Sequence, residues 1–209
     1  MSKPLILVGG GGHCKSVIDV VESAGYTILG ILDREISTGE TVFGYKVLGN
    51  DDLIEPYLDK AEFLVSVGQI KTPAIRIRLN NMVKDAGGKL AIVIAPTAHV
   101  SKYATIGEGT VVMHQAVVNA GAQIGKGCIV NTFANIEHDV KLGDFCHVST
   151  GAMVNGEAEI GEGSFIGSQS VVNQCVKICN MTVVASGSVV HKDITEAGVY
   201  AGNPIKRVK

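Results

Sequence analysis

From Val100 onward an aliphatic residue returns every sixth position, beginning Val100, Ile106, Val112, Val118 and ending Ile178, Val184, Val190. Sixteen hexads run without an insertion, and every first place except Leu142 is β-branched. The fifth place holds small or modest residues such as Ala104, Thr110, Ala116, Cys128 and Ala134. The second place is Gly at 107, 125, 143, 161 and 167 and Asn at 119, 131, 155 and 173, both expected there for the dihedrals of a corner. A short strand and a turn in every hexad, with one large inward side chain, describe one flat wall of a triangular prism. Three walls make a coil of eighteen residues, and sixteen hexads give a little over five coils. Coils then stack at the strand spacing of about 4.8 Å. The 26 glycines, the 5% of aromatic residues and the absence of Trp suit such repetitive β-structure better than a helical bundle. A β-sandwich would need the same spacing to recur by chance sixteen times.

Ahead of the repeat the periods change. "LILV", "GGGGH", "KSVIDVVESAGY" and "TILGILD" read as strand, glycine-rich turn, helix and strand ending at Asp33, a βαβ unit. Backbone N–H groups at the start of such a helix can face a phosphate, and the acid after the second strand is where a ribose hydroxyl would be held. The dinucleotide fingerprint is incomplete: with Gly9 and Gly11 in its first two places, the third falls on Cys14, so a NAD site is weakly signalled. "AEFLVSVGQ" is a further strand ending at Gly68, and "PAIRIRLNNMVKDAG" a basic helix. Pro96 marks the boundary, giving an α/β Rossmann-like domain over 1–95 and an all-β prism over 96–209.

The 18 basic and 20 acidic residues leave a net charge of −2 with no basic stripe, which argues against a nucleic-acid partner. No apolar run reaches the length of a membrane span, and the N-terminal apolar stretch is too short for a signal-peptide core. Five cysteines (Cys14, Cys128, Cys146, Cys175, Cys179) form no disulfide framework and are expected as reduced, buried fillers in a cytoplasmic protein.

The chemistry lies in "NIEHDVKLGDFCH". His138 is third in its hexad and His147 last in the hexad after it, so both are expected off the inward column. Eighteen residues beyond His138, one coil up, stands Gly156. A base beside a backbone N–H bare of side chain is the minimum equipment for acyl transfer: one takes a proton, the other receives an oxyanion. Asp139 can orient the ring and stabilise its cation. Nine residues is half a coil, so His138 and His147 fall on different walls and can meet only across a subunit boundary. His99, His114 and His191 read as solvated surface histidines. A metal trio of His114, His138 and His147 is disfavoured, because twenty-four residues between the first two place them on different sides.

The hexads, the tail "VYAGNPIKRVK" and the pieces "VGGGGH", "GILD", "VSVGQ", "NIEHDV" and "FIGSQSVVN" resemble the hexapeptide-repeat sugar acetyltransferases. Two branches are similar, the sialic-acid-cluster O-acetyltransferases and the N-acetyltransferases of nucleotide-linked 4-amino sugars. The resemblance covers nearly the whole chain and implies a left-handed parallel β-helix. It implies a homotrimer with acetyl-CoA in grooves between neighbouring prisms, a nucleotide-sugar on the N-terminal domain and no metal. It places substrate contacts at Gly11, Gly12, His13, Asp33, Arg34 and Gly68, with Asn131 facing the sugar amine. It assigns His138 as base, Asp139 as its acid partner, and His147, Gly156, Ser168 and Ser186 to the coenzyme. The acid is Asp here where the sugar N-acetyltransferases carry Glu, one methylene longer. Amine against hydroxyl as the acceptor stays open at the level of sequence.

Overall fold

The computed structural model describes residues 3–209. Strand β1 (Leu5–Val8), helix α1 (Gly12–Ser23) and β2 (Ile28–Leu32) form the expected unit, with β1 and β2 parallel. Two strands follow that the sequence pattern did not reveal, β3 (Thr41–Val42) and β4 (Tyr45–Gly49). They form a hairpin whose turn, Phe43-Gly44, has φ of 50° and 87°, the left-handed pair that matches strand twist. β5 (Glu62–Val65) and α2 (Ala74–Asp85) complete the domain, in a sheet of order β3-β4-β2-β1-β5. β5 stops at Val65, ahead of the expected Gly68, because the chain there leaves the sheet to meet the prism. β1 lies between β2 and β5, so the crevice beyond its carboxyl end is where strand order reverses, the customary ligand position of such sheets.

The remainder is a left-handed parallel β-helix. β6 (Val93–Ile94) pairs with Val111–Val112, so the prism's ladder begins ahead of Pro96. Sixteen two-residue strands follow, β7 (His99–Val100) through β22 (Val189–Val190), each first-place aliphatic being its strand's second residue. The register is eighteen throughout, as in Val117↔Asn135, Gln123↔Lys141 and Ile129↔His147. β23 (Val199–Ala201) caps the last coil and pairs antiparallel with β24 (Lys206–Arg207).

First-place side chains such as Val118, Ile136, Val154 and Val172 are fully buried in one interior column. At one corner the fifth place does more than fill space. Thr110, Cys128, Cys146 and Ser164 each donate to a backbone carbonyl fifteen residues on, at 2.9, 3.2, 3.1 and 3.2 Å. Three cysteines are buried as expected, but Cys175 is exposed on a corner and Cys179 half-buried.

The corner dihedrals are not where the second-place Gly and Asn suggested. Positive φ falls on the fourth place of every hexad from Ile106 to Val184, at Gly109, Gln115, Gly121, Gly127, Phe133, Asp139, Phe145 and onward by six to Gly187. The second-place glycines serve close stacking: a Cβ on Gly107 would lie 2.6 Å from the Gly125 carbonyl carbon, one coil above.

The outward columns of the three walls differ in chemistry. One reads Thr105, Gln123, Lys141, Glu159, Lys177, with both lysines 3.4 Å from Glu159. A second is largely apolar and uncovered, with Val117, Met153, Val171 and Val189. The third, Val111, Ile129, His147, Phe165, Val183, begins beneath the N-terminal domain, where Val111, Met113 and Ile129 share a core with Leu7, Ile18 and Val21. No helix among the described residues is long and apolar enough to cross a membrane.

Truncating one interior side chain leaves a void between rigid coils. Ile136→Ala is expected to cost about 2–5 kcal/mol in urea unfolding, whereas Thr105→Ala, on the solvated wall, should change stability by less than about 0.5 kcal/mol.

Candidate active site

His138 stands on the corner between β13 (Asn135–Ile136) and β14 (Lys141–Leu142), over the following coil. A Cβ built on Gly156 would lie 2.6 Å from His138 Nε2 and 2.7 Å from Cε1, so the imidazole occupies the space that a side chain at 156 would take. The Gly156 carbonyl accepts from Cys175 N at 3.0 Å, while its own N–H has no partner among the described residues.

Asp139 holds the other edge of the ring, with Oδ2 3.0 Å from His138 Nδ1. The shorter acid therefore reaches. Its fourth-place backbone, at φ 58°, turns the carboxylate back along the corner, and its N–H donates to Ala120 O at 3.0 Å. Below it, Gly121 must lack a Cβ, which would collide with Asp139 Oδ1. The Asp139 bond is the chief cause raising the His138 pKa, and the Glu137 and Glu157 carboxylates add to it. Glu137, held by Asn119 and Asn135 at 2.9 and 3.0 Å, is a contributor that the sequence reading passed over. With Nδ1–H given to Asp139, the Nε2 lone pair faces the Gly156 cleft.

His147 is the opposite case. It sits in β15 (His147–Val148) and is only 6% exposed, not solvated. Nδ1 donates to Gln69 O at 2.7 Å, Nε2 meets Asn131 Nδ2 at 3.1 Å, and Phe165 packs edge-on with centroids 5.2 Å apart. Burial lowers its pKa to about 4, against the partial support of the Gln69 carbonyl. His13, in the first turn of α1, rests on Gly68, where a Cβ would come within 3.3 Å. Its ring centroid is 6.3 Å from that of His147, its Nε2 is buried with no partner among the described residues, and burial takes its pKa to about 3.

Beyond His147 opens a groove of about 950 Å³, lined by Asn131, Ser149, Phe165, Ser168, Val183 and Ser186 and edged by Lys71, Arg207 and Lys209. A second crevice of about 400 Å³, at the carboxyl end of β1, is bounded by Gly9, Gly11, Asp33, Arg34, Asp51 and Arg78.

Residues 4–83 match the PglD N-terminal domain. The acetyltransferase domain of PglB from Neisseria gonorrhoeae FA1090 is 35% identical, with a TM-score of 0.93 over 99% of this chain and 100% of that one. The chain belongs to the hexapeptide-repeat sugar N-acetyltransferases. The same PglB domain in complex with acetyl coenzyme A is 34% identical over the full length of both chains, with a TM-score of 0.93. PerB from Caulobacter crescentus, in complex with CoA and GDP-perosamine, is 31% identical over 99% of this chain and 97% of that one, with a TM-score of 0.92. No curated protein matches.

In this acetyltransferase the sequence-derived residues divide into three groups. His138, Asp139 and Gly156 form one cluster; Asn131, His147, Ser168 and Ser186 line one groove; Gly11, Asp33 and Arg34 edge one crevice. Gly12 borders the neighbouring face of the loop, with Lys15 and Phe43, and Gly68 backs His13. Three expectations change. Asp33, which borders the crevice, is already engaged: Gly10 N donates to its Oδ2 at 2.6 Å and Glu35 N and Ile36 N to its Oδ1 at 2.8 Å. Asn131 is tied to His147 rather than standing open. His114 is not an isolated surface residue: Nδ1 meets Thr97 Oγ1 at 2.7 Å, and Nε2 lies 3.2 Å from Asp19 Oδ2. Among the described residues no three His, Cys, Asp or Glu side chains converge as metal ligands. Arg78, 2.8 Å from the buried Asp51 that Arg34 also approaches at 3.4 Å, is a crevice residue that sequence reasoning missed.

Asp139→Asn removes the main support of the His138 cation, so the imidazole pKa in an NMR titration should fall toward its ordinary value. The buried histidines have the opposite linkage. Between pH 6.5 and about 4 the unfolded chain binds protons that folded His13 and His147 refuse. Stability should therefore drop as pH falls through that window, by up to about 2.7 kcal/mol per pH unit for two protons. Urea unfolding of the wild type and His147→Asn should show the variant losing roughly half of that slope.

Proposed function

We propose that the chain transfers acetyl from acetyl-CoA to the 4-amino group of a nucleotide-linked amino-deoxy sugar, as a cytoplasmic homotrimer. The observation that carries this reading is the His138 Nε2 lone pair set in the gap over Gly156, with Asp139 bonded behind it. The amine lone pair attacks the thioester carbonyl carbon. The carbonyl oxygen becomes an oxyanion that the Gly156 N–H receives, and His138 takes the proton shed by the nitrogen. The intermediate collapses, the carbon–sulfur bond breaks, and the coenzyme thiolate regains a proton from the imidazolium. A positioned base contributes on the order of 10²–10⁴ in rate and one oxyanion donor about 3 kcal/mol.

The groove beyond His147 suits the coenzyme. Its apolar floor and the Ser149–Ser168 pair, 3.0 Å apart, accommodate a pantetheine arm, and Lys71, Arg207 and Lys209 supply positive charge for the phosphates. The crevice at the carboxyl end of β1 suits the nucleotide-sugar, with Gly11 at the loop and Arg34 and Arg78 flanking the diphosphate. PerB's complex with CoA and GDP-perosamine supports this pair of ligands. Neither Asp139 nor His138 borders the groove of its own chain, which supports assembly of the site from neighbouring copies across the apolar wall of Val117, Met153, Val171 and Val189.

His138→Ala should keep coenzyme binding and oligomeric state but lose turnover by at least several hundredfold. Near-normal turnover would remove the assignment. Because the base must be neutral, kcat should rise with pH through the raised His138 pKa. A panel of UDP-, dTDP- and GDP-linked 4-amino sugars against free sialic acid tests the acceptor; acetylation of sialic acid alone would replace the amine by a hydroxyl.

A further inference from the structure

Among the described residues Arg76 is the largest fully buried side chain, and no carboxylate lies within ion-pair distance of it. Its guanidinium donates only to carbonyls, and those belong to both domains. One is the last carbonyl of β5, Val65 O at 2.7 Å, and one lies just past it, Val67 O at 2.9 Å. The others are prism turns, Gly127 O at 2.6 Å, Gly109 O at 3.2 Å and Cys128 O at 3.5 Å. A buried cation without a counter-ion is costly, and a hydrophobic side chain could weld two surfaces at lower cost. Only the planar five-donor fork fixes several carbonyls at once in set directions.

Those carbonyls lead directly to the site. Two residues past Val67 comes Gln69, whose carbonyl accepts the His147 Nδ1–H at 2.7 Å and whose side chain donates to Phe145 O at 2.7 Å. His147 Nε2 then faces Asn131 at the inner end of the groove.

We propose that Arg76 is a positioning residue for acyl transfer, holding the 67–69 segment against the prism so that His147 keeps its proton on Nδ1 and presents an unprotonated Nε2 to Asn131 and the groove. The assignment rests on the acetyl-transfer reading for its kinetic consequence only; the state of His147 is independent of it. The charged group that acts on His147 is Arg76 from α2, which opposes its protonation; His13 from α1 faces it as a ring that burial keeps neutral.

Arg76→Lys keeps a charge but loses the fork; Arg76→Gln keeps two donors and loses the charge. Both are measured well below their unfolding temperatures. Imidazole ¹⁵N shifts should show wild-type His147 in one tautomer to below pH 5. In Arg76→Lys a tautomer mixture should appear, with KM for acetyl-CoA up about tenfold and that for the nucleotide-sugar changed less than threefold. In Arg76→Gln the His147 titration should also move upward, because the opposing guanidinium charge is gone. A structural latch alone would lower the unfolding temperature and leave tautomer, titration and KM of the folded protein unchanged. That result, or failure of both variants to fold, overturns the proposal. A wild-type protein without acetyl transfer but with the expected ¹⁵N behaviour would sink the function and leave the positioning role standing.

Discussion

The constraint that everything else inherits is the coil length. Eighteen residues per turn put each residue directly above the one eighteen before it, so the environment of any outward side chain is set by its neighbours in the same column. Gly121, Asp139 and Glu157 form one column, and Ala120, His138 and Gly156 the next. The first column needs a glycine under the carboxylate and the second a glycine over the imidazole; both are present. A one-residue insertion between His138 and Gly156 would turn the interior aliphatics beyond it outward and separate imidazole from amide at the same stroke. The ladder of Thr110, Cys128, Cys146 and Ser164 to the carbonyls fifteen residues on protects that register from the inside.

On this scaffold two histidines nine residues apart receive opposite electrostatic treatment. His138 is more than half exposed and backed by a carboxylate, which favours its cation. His147 is sealed beneath the N-terminal domain, between Gln69, Asn131 and Phe165, which favours the neutral ring. Pairs of like groups pushed apart in pKa mark a division of labour: under the proposed reaction His138 would take up and return the proton, and His147 would be a fixed hydrogen-bonding surface. The shorter acid at 139 does not weaken the first role, because a left-handed backbone conformation at its own Cα brings the carboxylate to the ring.

What could be read from the sequence follows the range of the interactions involved. The interior column, the coil length and the His138–Gly156 pairing depend only on period, and period is local. The left-handed corner residue was hidden because Gln115, Phe133, Asp139, Phe145 and Glu157 share no chemistry at that place, whereas Gly and Asn at the second place advertised a turn they do not make. The burial of His147 was illegible because its cover, Gln69, lies seventy-eight positions earlier, and periodicity says only that the side chain points outward. Arg76 read as one more charge on a basic helix. Nothing in "PAIRIRLNN" distinguishes it from Arg78, yet one guanidinium is sealed between domains and the other flanks a crevice. The hairpin of β3 and β4 was missed because two residues carry no period at all and the five of Tyr45–Gly49 too little of one.

A single chain presents the two halves of this chemistry on opposite sides of its own prism. His138 occupies the corner between the charged wall and the open apolar wall, whereas the groove runs along the third wall beyond His147. A rigid coil cannot bend to join them. Another copy can, if its His138 corner meets the groove edge across the apolar wall. Such a contact joins two different surfaces, so it is heterologous, and it closes without leaving free faces only in a ring. In the proposed homotrimer one wall of the prism would face solvent, one its own N-terminal domain and one a neighbouring copy, which suits a ring of three. The same partition explains why the charged column of Lys141, Glu159 and Lys177 is confined to one wall: a charge in the apolar column would be desolvated on assembly without a partner, at a cost of several kcal/mol.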